Sequence, residues 1–153
     1  MLQPLQLANA DLTWVSHCVP GTPRASSCCP ACRPPSTYDY FVWKGVEPDL
    51  HPYGACYHDL AERRSTGVIE YLKVQQVGAV IVGGLALDYC VRTTARQLRQ
   101  AGFQVLLYLP ACRALTQAGA IEACGALAAE GVILCGDEAA LDYQLSLIKE
   151  DRP

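Results

Sequence analysis

The sequence lacks the features of a membrane or nucleic-acid-binding protein. It has no run of the roughly 18 apolar residues that a membrane span needs, and its N-terminus lacks the charged and then apolar layout of a signal peptide. It has no basic cluster, and its 12 Lys and Arg against 15 Asp and Glu give a net charge of −3. No internal repeat is visible. We therefore expect a cytoplasmic protein with no membrane or nucleic-acid partner, its 153 residues forming one domain.

Cysteine is abundant, with nine residues. Without a secretory signal they are expected to be thiols, and the odd number leaves at least one unpaired. Cys28, Cys29 and Cys32 crowd a loop-like stretch, residues 24–36. The Cys-x-x-Cys spacing of Cys29 and Cys32 suits a redox pair or half a zinc site. No second such pair exists, and prolines follow where a redox pair needs a helix, so a redox or zinc module is a minor alternative.

The most informative stretch lies at the centre of the chain. Residues 77–82 (VGAVIV) form an apolar, β-branched run that ends at two glycines, which predicts a strand buried on both faces of a parallel sheet. From Asp88 onward the apolar residues take helical spacing, and Gly102 stands where a left-handed C-cap belongs. Cys90 is therefore predicted in the first turn of a helix, at the carboxyl edge of the sheet.

That position suits a nucleophile. The N–H groups of a helix N-terminus are unpaired and carry about half a positive charge, which favours thiolate over thiol and can hold an oxyanion. Ligands of open α/β sheets bind at this edge. The alternative, a buried and inert cysteine, stays open on position alone.

The remaining patterns alternate between strands and helices, which predicts a Rossmann-like parallel α/β sheet with right-handed crossovers. The predicted strands are 39–43, 77–82, 103–109 and 132–135, with 110–115 a loop and 47–59 an active-site loop. The other helices are predicted from apolar stripes: Val68, Ile69 and Leu72, capped by Ser65 or Thr66; Ile121, Cys124, Leu127 and Ala128, closed by Gly131; Leu141, Leu145 and Ile148, opened by Asp137.

The central motif also resembles that of a known family. Residues 84–95, GLALDYCVRTTA, closely resemble the G-[IL]-A-T-D-Y-C-V-x-x-T motif of nicotinamidases (pyrazinamidases), isochorismatase-like cysteine hydrolases. Residues 41–49 (FVWKGVEPD) resemble the family's [VI]-x-K-G-[TV]-x-P-D, and residues 53–59 (YGACYHD) its Y-S-A-F-x-D. Residues 14–23 (WVSHCVPGTP) resemble W-P-x-H-C-V-x-G-T-P. The similarity spans roughly residues 10 to 135.

The resemblance implies an isochorismatase-like fold and the hydrolysis of nicotinamide to nicotinate and ammonia through a cysteine thioester, in NAD salvage (pyridine nucleotide biosynthesis). Cys90 would be the nucleophile and Lys44 the cation that favours its thiolate and orients the acid/base partner. The backbone N–H groups of Ala86 and Cys90 would form the oxyanion hole, after a cis Leu85–Ala86 peptide. Tyr89 would flank the ring of a nicotinamide-like amide, and a homo-oligomer is compatible with this.

The sequence departs from the family at three points. It has neither the V-D-x-Q-N-D-F segment, with its acid/base Asp, nor the D-x-H-x-x-x-H motif, which binds a divalent Zn, Fe or Mn ion. Asp11 and His17 do not have that metal spacing. Leu87 stands where the family has Thr. We therefore expect an incomplete domain that lacks the first two family strands and retains no metal cofactor.

The sequence is compatible with two hypotheses about function. The first is an amidase of which this sequence is a truncated form, and the second is a catalytically dead remnant or assembly partner. The cysteine cluster has a further interpretation as a local frameshift. Residues 26–33 (SSCCPACR), written in GC-rich codons and read one nucleotide earlier, encode Glu-Leu-Leu-Leu-Pro-Gly-Leu-Pro, and the family commonly has an E-L-x-P-x-L-like segment there.

Overall fold

A computed structural model describes residues 14–15, 39–44 and 52–150. Within these ranges, four parallel strands lie side by side in chain order. The strands are β1 (Trp14–Val15), β2 (Ala79–Leu85), β3 (Gln104–Arg113) and β4 (Ile133–Cys135). The helices are α1 (Val68–Val74), α2 (Arg92–Gln100), α3 (Gln117–Ala129) and α4 (Glu138–Glu150), and a π-helical turn, Leu87–Val91, precedes α2. The predicted parallel α/β sheet with flanking helices is confirmed.

The alternation of side chains along β2 and β3 divides the core between the two faces of the sheet. One face buries a cluster shared with α1, α2 and α3; it includes Val80, Val82, Val105, Leu107, Leu72, Leu98 and Leu127. The other face buries a smaller cluster shared with α4: Ala79, Ile81, Leu106, Cys135, Leu141 and Leu145. Because both faces are covered, β2 reads as a continuous apolar run, as predicted.

The loop predicted over 110–115 is largely wrong, because β3 continues to Arg113. The register explains how a strand accommodates Pro110. Val82 pairs with Leu107 but Gly84 pairs with Cys112, so β3 bulges between these two pairs. The missing N–H of a proline costs little at a bulge. On its other side, β3 is paired with β4 only as far as Tyr108.

The strand predicted over 39–43 is also wrong, since residues 39–44 form no strand. No described strand lies beside this segment to receive a hydrogen-bond ladder. Instead the Tyr40 ring stacks on Tyr71 of α1, with ring centroids 4.4 Å apart and planes at 14°. The Tyr40 hydroxyl donates to the Thr66 carbonyl at 3.3 Å. Aromatic packing, rather than a sheet, therefore fixes this segment.

The helix stripes are predicted with mixed success. Leu141 and Leu145 are buried, and the Asp137 carboxylate accepts from the Ala140 N–H at 2.7 Å, as expected of a cap. On α3, however, Ile121 and Ala128 are exposed, and the residues that face the core are Ala120, Ala123, Cys124 and Leu127. Most residues of α3 are small, so the spacing of large apolar residues does not reveal which face of the helix packs on the core.

The cap of α1 is corrected as well. Its N-cap is Gly67, at φ 87°, with no side-chain cap. The Ser65 hydroxyl accepts from the Gly67 N–H at 3.0 Å and donates to Glu70 at 2.7 Å. Ser65 therefore stabilises the residues just before α1 without being its N-cap. Gly102 takes the predicted left-handed conformation after α2, and Gly131, predicted to close α3, is left-handed as well.

Candidate active site

Cys90 lies in the π-helical turn that joins the carboxyl end of β2 to α2. The Ala86 carbonyl accepts from the Tyr89 N–H at 3.1 Å and from the Val91 N–H at 3.0 Å, the latter being the wide five-residue closure of a π turn. Leu87 and Val91 are buried and anchor the turn in the core, while Cys90 is half-buried. The Leu85–Ala86 peptide bond is cis, as expected. The turn therefore presents Cys90 at the sheet edge where it was predicted.

Asp88 ties this turn to the next connection in the chain. Both of its carboxylate oxygens lie 3.2 Å from the Leu115 backbone nitrogen, just before α3. The α3 N-cap, Thr116, accepts from the Gly119 N–H at 3.0 Å, and a negative charge beside a helix N-terminus is favourable. Asp88 thus holds the Cys90 turn against the connection that leads into α3.

Lys44 and Tyr89, the other predicted site residues, meet at a loop. The Lys44 ammonium donates to the Tyr53 carbonyl at 2.7 Å. The Tyr53 ring lies 5.7 Å from the Tyr89 ring, centroid to centroid and at 44°. Tyr89 is 45% exposed and Tyr53 50%, so both are open to a ligand. Among the described residues, no hydrogen bond or ion pair joins Lys44 to Cys90, and Tyr53 is the residue that links the two regions.

Sequence reasoning missed a buried polar network on α2. The Thr94 hydroxyl donates to the Cys90 carbonyl at 2.8 Å and accepts from the Ala55 N–H at 3.0 Å. The Gln97 side-chain oxygen accepts from the Cys56 N–H at 3.3 Å, and its amide nitrogen donates to Glu62 at 2.9 Å. Thr94 is the last residue of the C-V-x-x-T motif, so a signal was present for it. For Gln97 the sequence carries no such signal, since it is simply a polar residue next to the apolar positions of α2.

Burial raises the thiol pKa of four of the described cysteines. Desolvation raises the pKa of the Cys56 thiol to about 12, with the nearby Glu62 and Glu70 adding to the effect. Burial also raises the pKa of Cys112, Cys124 and Cys135. These four thiols stay protonated at neutral pH and are poor nucleophiles. Cys28, Cys29 and Cys32, with the predicted redox or zinc pair, lie outside the described residues, as do Asp11 and His17.

A cleft of about 120 Å³ opens beside residues 52–54, and Cys90 is not among its lining residues. Its lining residues are Pro52, Tyr53, Gly54, Asp59, Leu60, Glu62, Thr93, Arg96 and Gln97. Within the described ranges, no group of three or more His, Cys, Asp or Glu side chains could hold a metal ion. The described part of the site therefore offers no set of ligands for the divalent metal ion that the family resemblance implies.

Among the described helices, none has the length and apolar character of a membrane-spanning helix.

The parallel sheet and its flanking helices make this chain an α/β protein. The half-buried Cys90 lies at the carboxyl edge of the sheet, where proteins of this class bind their ligands. The family model described as "Isochorismatase domain" matches residues 48–139. The chain belongs to this family, as the sequence motifs indicated.

Among curated proteins, the chain is similar to two nicotinamidases. It is 33% identical to that of Acinetobacter baylyi over 112 residues, which is 73% of this chain and 51% of the relative. It is 31% identical to that of Escherichia coli over 111 residues, which is 72% of this chain and 51% of the relative. The chain thus spans about half the length of the curated relatives it matches.

Solved structures agree with this assignment. An Acinetobacter baumanii nicotinamidase/pyrazinamidase superposes with a TM-score of 0.69 at 27% identity, covering 83% of this chain and 59% of that one. PnC1 from L. infantum in complex with nicotinate gives 0.58 at 31% identity, covering 61% and 46%. Pyrazinamidase of Pyrococcus horikoshii in complex with zinc gives 0.52 at 26% identity, covering 58% and 46%.

Proposed function

We propose that the protein is a nicotinamidase-type amidohydrolase, which converts nicotinamide and water to nicotinate and ammonia in the cytoplasm as part of NAD salvage. The observation that carries the proposal is the position of Cys90, half-buried in the turn after the central strand, within a motif shared with nicotinamidases. The relatives that are named nicotinamidases support the choice of substrate.

The reaction begins when the Cys90 thiolate attacks the carboxamide carbon, forming a C–S bond and a tetrahedral oxyanion. Collapse of this intermediate breaks the C–N bond, and the nitrogen takes the proton that the Cys90 thiol gave up on forming the thiolate and leaves as ammonia. Water then attacks the thioester carbon, the C–S bond breaks, and nicotinate and the Cys90 thiol are released. In this scheme Lys44 supplies the positive charge that favours the thiolate.

The oxyanion would be held by backbone rather than side-chain donors. The proposed hole consists of the Ala86 and Cys90 N–H groups on either side of the turn, and each such donor contributes about 10² to 10³ in rate in other enzymes. Leu87, which replaces the Thr of the family motif, is buried in the core. The substitution therefore leaves the proposed backbone donors in place. Tyr89, with Tyr53 beside it, would flank the pyridine ring.

The acid/base group is the missing part of this mechanism. By resemblance, a nicotinamidase uses the Asp of V-D-x-Q-N-D-F to take the thiol proton and return it to the departing ammonia, and the printed sequence has no such motif. General acid/base catalysis is worth about 10² to 10⁴ in rate. A protein without such a group would fit the second candidate function, a non-catalytic member or assembly partner of the family.

The test is ammonia release from nicotinamide by the purified 153-residue chain, with and without added Zn²⁺, Mn²⁺ or Fe²⁺, beside Cys90→Ala. Turnover that Cys90→Ala abolishes would establish the amidase. A folded chain that releases no ammonia under any condition would favour the second candidate. An in-frame upstream extension that encodes D-x-Q-N-D and D-x-H-x-x-x-H, and that restores turnover, would return the assignment to the amidase.

A further inference from the structure

The loop that carries Tyr53, here called the bridging segment (Tyr53–Cys56), contacts both halves of the proposed site. At its start, the Tyr53 carbonyl accepts from the Lys44 ammonium at 2.7 Å. Its next residues lie against the face of α2 that follows Cys90, where Gly54, Ala55 and Cys56 are buried. The position of Lys44 relative to Cys90 therefore depends on how this segment is held.

Besides the contact of the Tyr53 and Tyr89 rings, one buried hydroxyl links the segment to the Cys90 turn. Thr94 is 1% exposed, and its single proton goes to the Cys90 carbonyl at 2.8 Å. A lone pair of the same oxygen accepts from the Ala55 N–H at 3.0 Å. A hydroxyl can donate and accept at once, which an alkyl group of the same shape cannot do. Without it, the buried Ala55 N–H would lose its partner.

The link is reinforced on both sides. The Thr66 hydroxyl donates to the Ala55 carbonyl at 2.7 Å, so both polar groups of the Ala55 backbone are bound. One turn further along α2, Gln97 accepts from the Cys56 N–H. A buried polar network that is fully satisfied fixes one geometry, because each alternative leaves a group unpaired in a low-dielectric interior.

We infer that Thr94 is a positioning residue, whose hydroxyl fixes the bridging segment, and through it the Lys44 ammonium, relative to the Cys90 thiol. The inference deepens the proposed function and rests on its assignment of Lys44 and Cys90. Lys44 influences Cys90 only while the Thr94 hydroxyl is present. The two residues therefore act on Cys90 as one unit, and their substitutions are not additive.

The test measures the alkylation rate of Cys90 by iodoacetamide, resolved by peptide mapping, across pH 6 to 9. The variants are Lys44→Met, Thr94→Val and the double variant. We expect each single substitution to slow alkylation at pH 7 by about 10-fold, since misplacing a group by about 1 Å can cost up to 10²-fold. We expect the double variant to be no slower than either single variant.

Two further variants separate positioning from general stability. Thr94→Ser keeps the hydroxyl and is expected to retain the alkylation rate and its pH profile within about twofold. Thr93→Val removes a neighbouring hydroxyl whose bond goes to the Tyr89 carbonyl in its own helix, at 2.9 Å, and is expected to leave both unchanged. If Thr94→Val does not fold, Thr94→Ala removes the same hydroxyl from a smaller side chain.

Additive effects of Lys44→Met and Thr94→Val would overturn the inference, as would a Cys90 rate that does not respond to Lys44→Met in the otherwise unchanged protein. Alkylation requires no amide turnover. A coupled alkylation rate in a protein that releases no ammonia would therefore support the positioning role while the proposed function fails. Ammonia release together with additive effects on the alkylation rate would support the proposed function and overturn the positioning role of Thr94.

Discussion

At the scale of single residues, Cys56 and Cys90 show how burial divides the cysteines of this chain. Cys56 is fully buried, and its N–H is held by Gln97, whereas Cys90 is half-buried in a turn at the sheet edge. The residues next to each cysteine do not reveal this difference in burial, because both cysteines lie among apolar and aromatic residues. Position after a strand and a helical pattern identified Cys90, while nothing comparable identified the environment of Cys56.

The buried Cys56 thiol makes the stability of the protein fall at alkaline pH. Its pKa is raised from an ordinary 9.0 to about 12. Above pH 9 the unfolded chain therefore loses this proton while the folded chain keeps it, and the stabilisation is lost as pH rises toward 12. We expect this group to lower the free energy of unfolding by up to about 1.4 kcal/mol per pH unit.

Urea unfolding of the parent protein and Cys56→Ala between pH 7 and 10.5 measures this effect. Below pH 8 the two proteins should differ by a constant amount, and above pH 9 the variant should show the shallower decline. Parallel pH dependence across the whole range would contradict the prediction. Cys112 and Cys135, whose pKa values are also raised by burial, lower the stability at alkaline pH in both proteins alike, so the difference between the two proteins reports on Cys56.

Gly54 is predicted to be intolerant of a side chain because of Gln97. A Cβ at Gly54 would collide with the Gln97 amide group. Moving that amide would break its bonds to the Cys56 N–H and to Glu62. Since a buried group left unpaired costs about 1 to 3 kcal/mol, Gly54→Ala should lower the free energy of unfolding by about that amount.

A double-mutant cycle tests this explanation. Gln97→Ala alone is also destabilising, but it vacates the space that a Cβ at residue 54 needs. The double variant should therefore be more stable than the sum of the single effects by at least about 0.5 kcal/mol in urea unfolding. Additive effects would contradict the collision with Gln97 as the cause.

At the scale of elements, the sequence predicts the cap of α4 correctly, although it misplaces that of α1. The Asp137 carboxylate accepts from the Ala140 N–H at 2.7 Å, at the start of α4. We expect Asp137→Ala to lower the free energy of unfolding by about 1 kcal/mol, the usual value of an N-cap. Asp142→Ala, at an exposed carboxylate further along α4, is the control and should change it by less than about 0.5 kcal/mol. Equal effects would mean that charge rather than capping matters.

The elements that sequence patterns missed depend on neighbours far along the chain. The extension of β3 past Pro110 follows from pairing with Gly84 and Leu85, which no local pattern at a proline reveals. Residues 39–44 have strand-like composition but pack by stacking on Tyr71. Intrinsic preference is a weak guide to a strand, because the hydrogen bonds must come from a partner strand.

At the scale of the whole molecule, the second face of the described sheet depends on α4. Leu141 is 1% exposed and packs in the cluster with Ile81 and Leu106, whereas Tyr143 on the same helix is 62% exposed. Leu141→Asp buries an unpaired charge and opens a cavity, so we expect a loss of several kcal/mol and largely unfolded protein. Tyr143→Asp should stay within about 0.5 kcal/mol of the parent in thermal or urea unfolding. A stable Leu141→Asp protein would show that the face is covered by something other than α4.

Much of the candidate site could also be predicted from the sequence, because its centre is local. The β2 strand, the Cys90 turn and α2 follow one another without interruption, so spacing alone placed Cys90. The environment of Lys44 could not be placed in this way. It is set by Tyr53, Ala55 and Thr94, whose contacts join distant parts of the chain.

The order of the strands has a consequence for how the chain folds. Each strand lies beside its neighbour in sequence, so the pairing of β2 with β3 and of β3 with β4 closes only one helical connection each time. The pairing of Trp14 with Ile81 closes a much longer stretch of chain. Because short closures are entropically cheaper and faster than long ones, we expect β2 to β4, with the Cys90 turn, to form the folding nucleus and β1 to join last. The thiol of Cys90 would then reach its final surroundings early, before the first strand of the described sheet is in place.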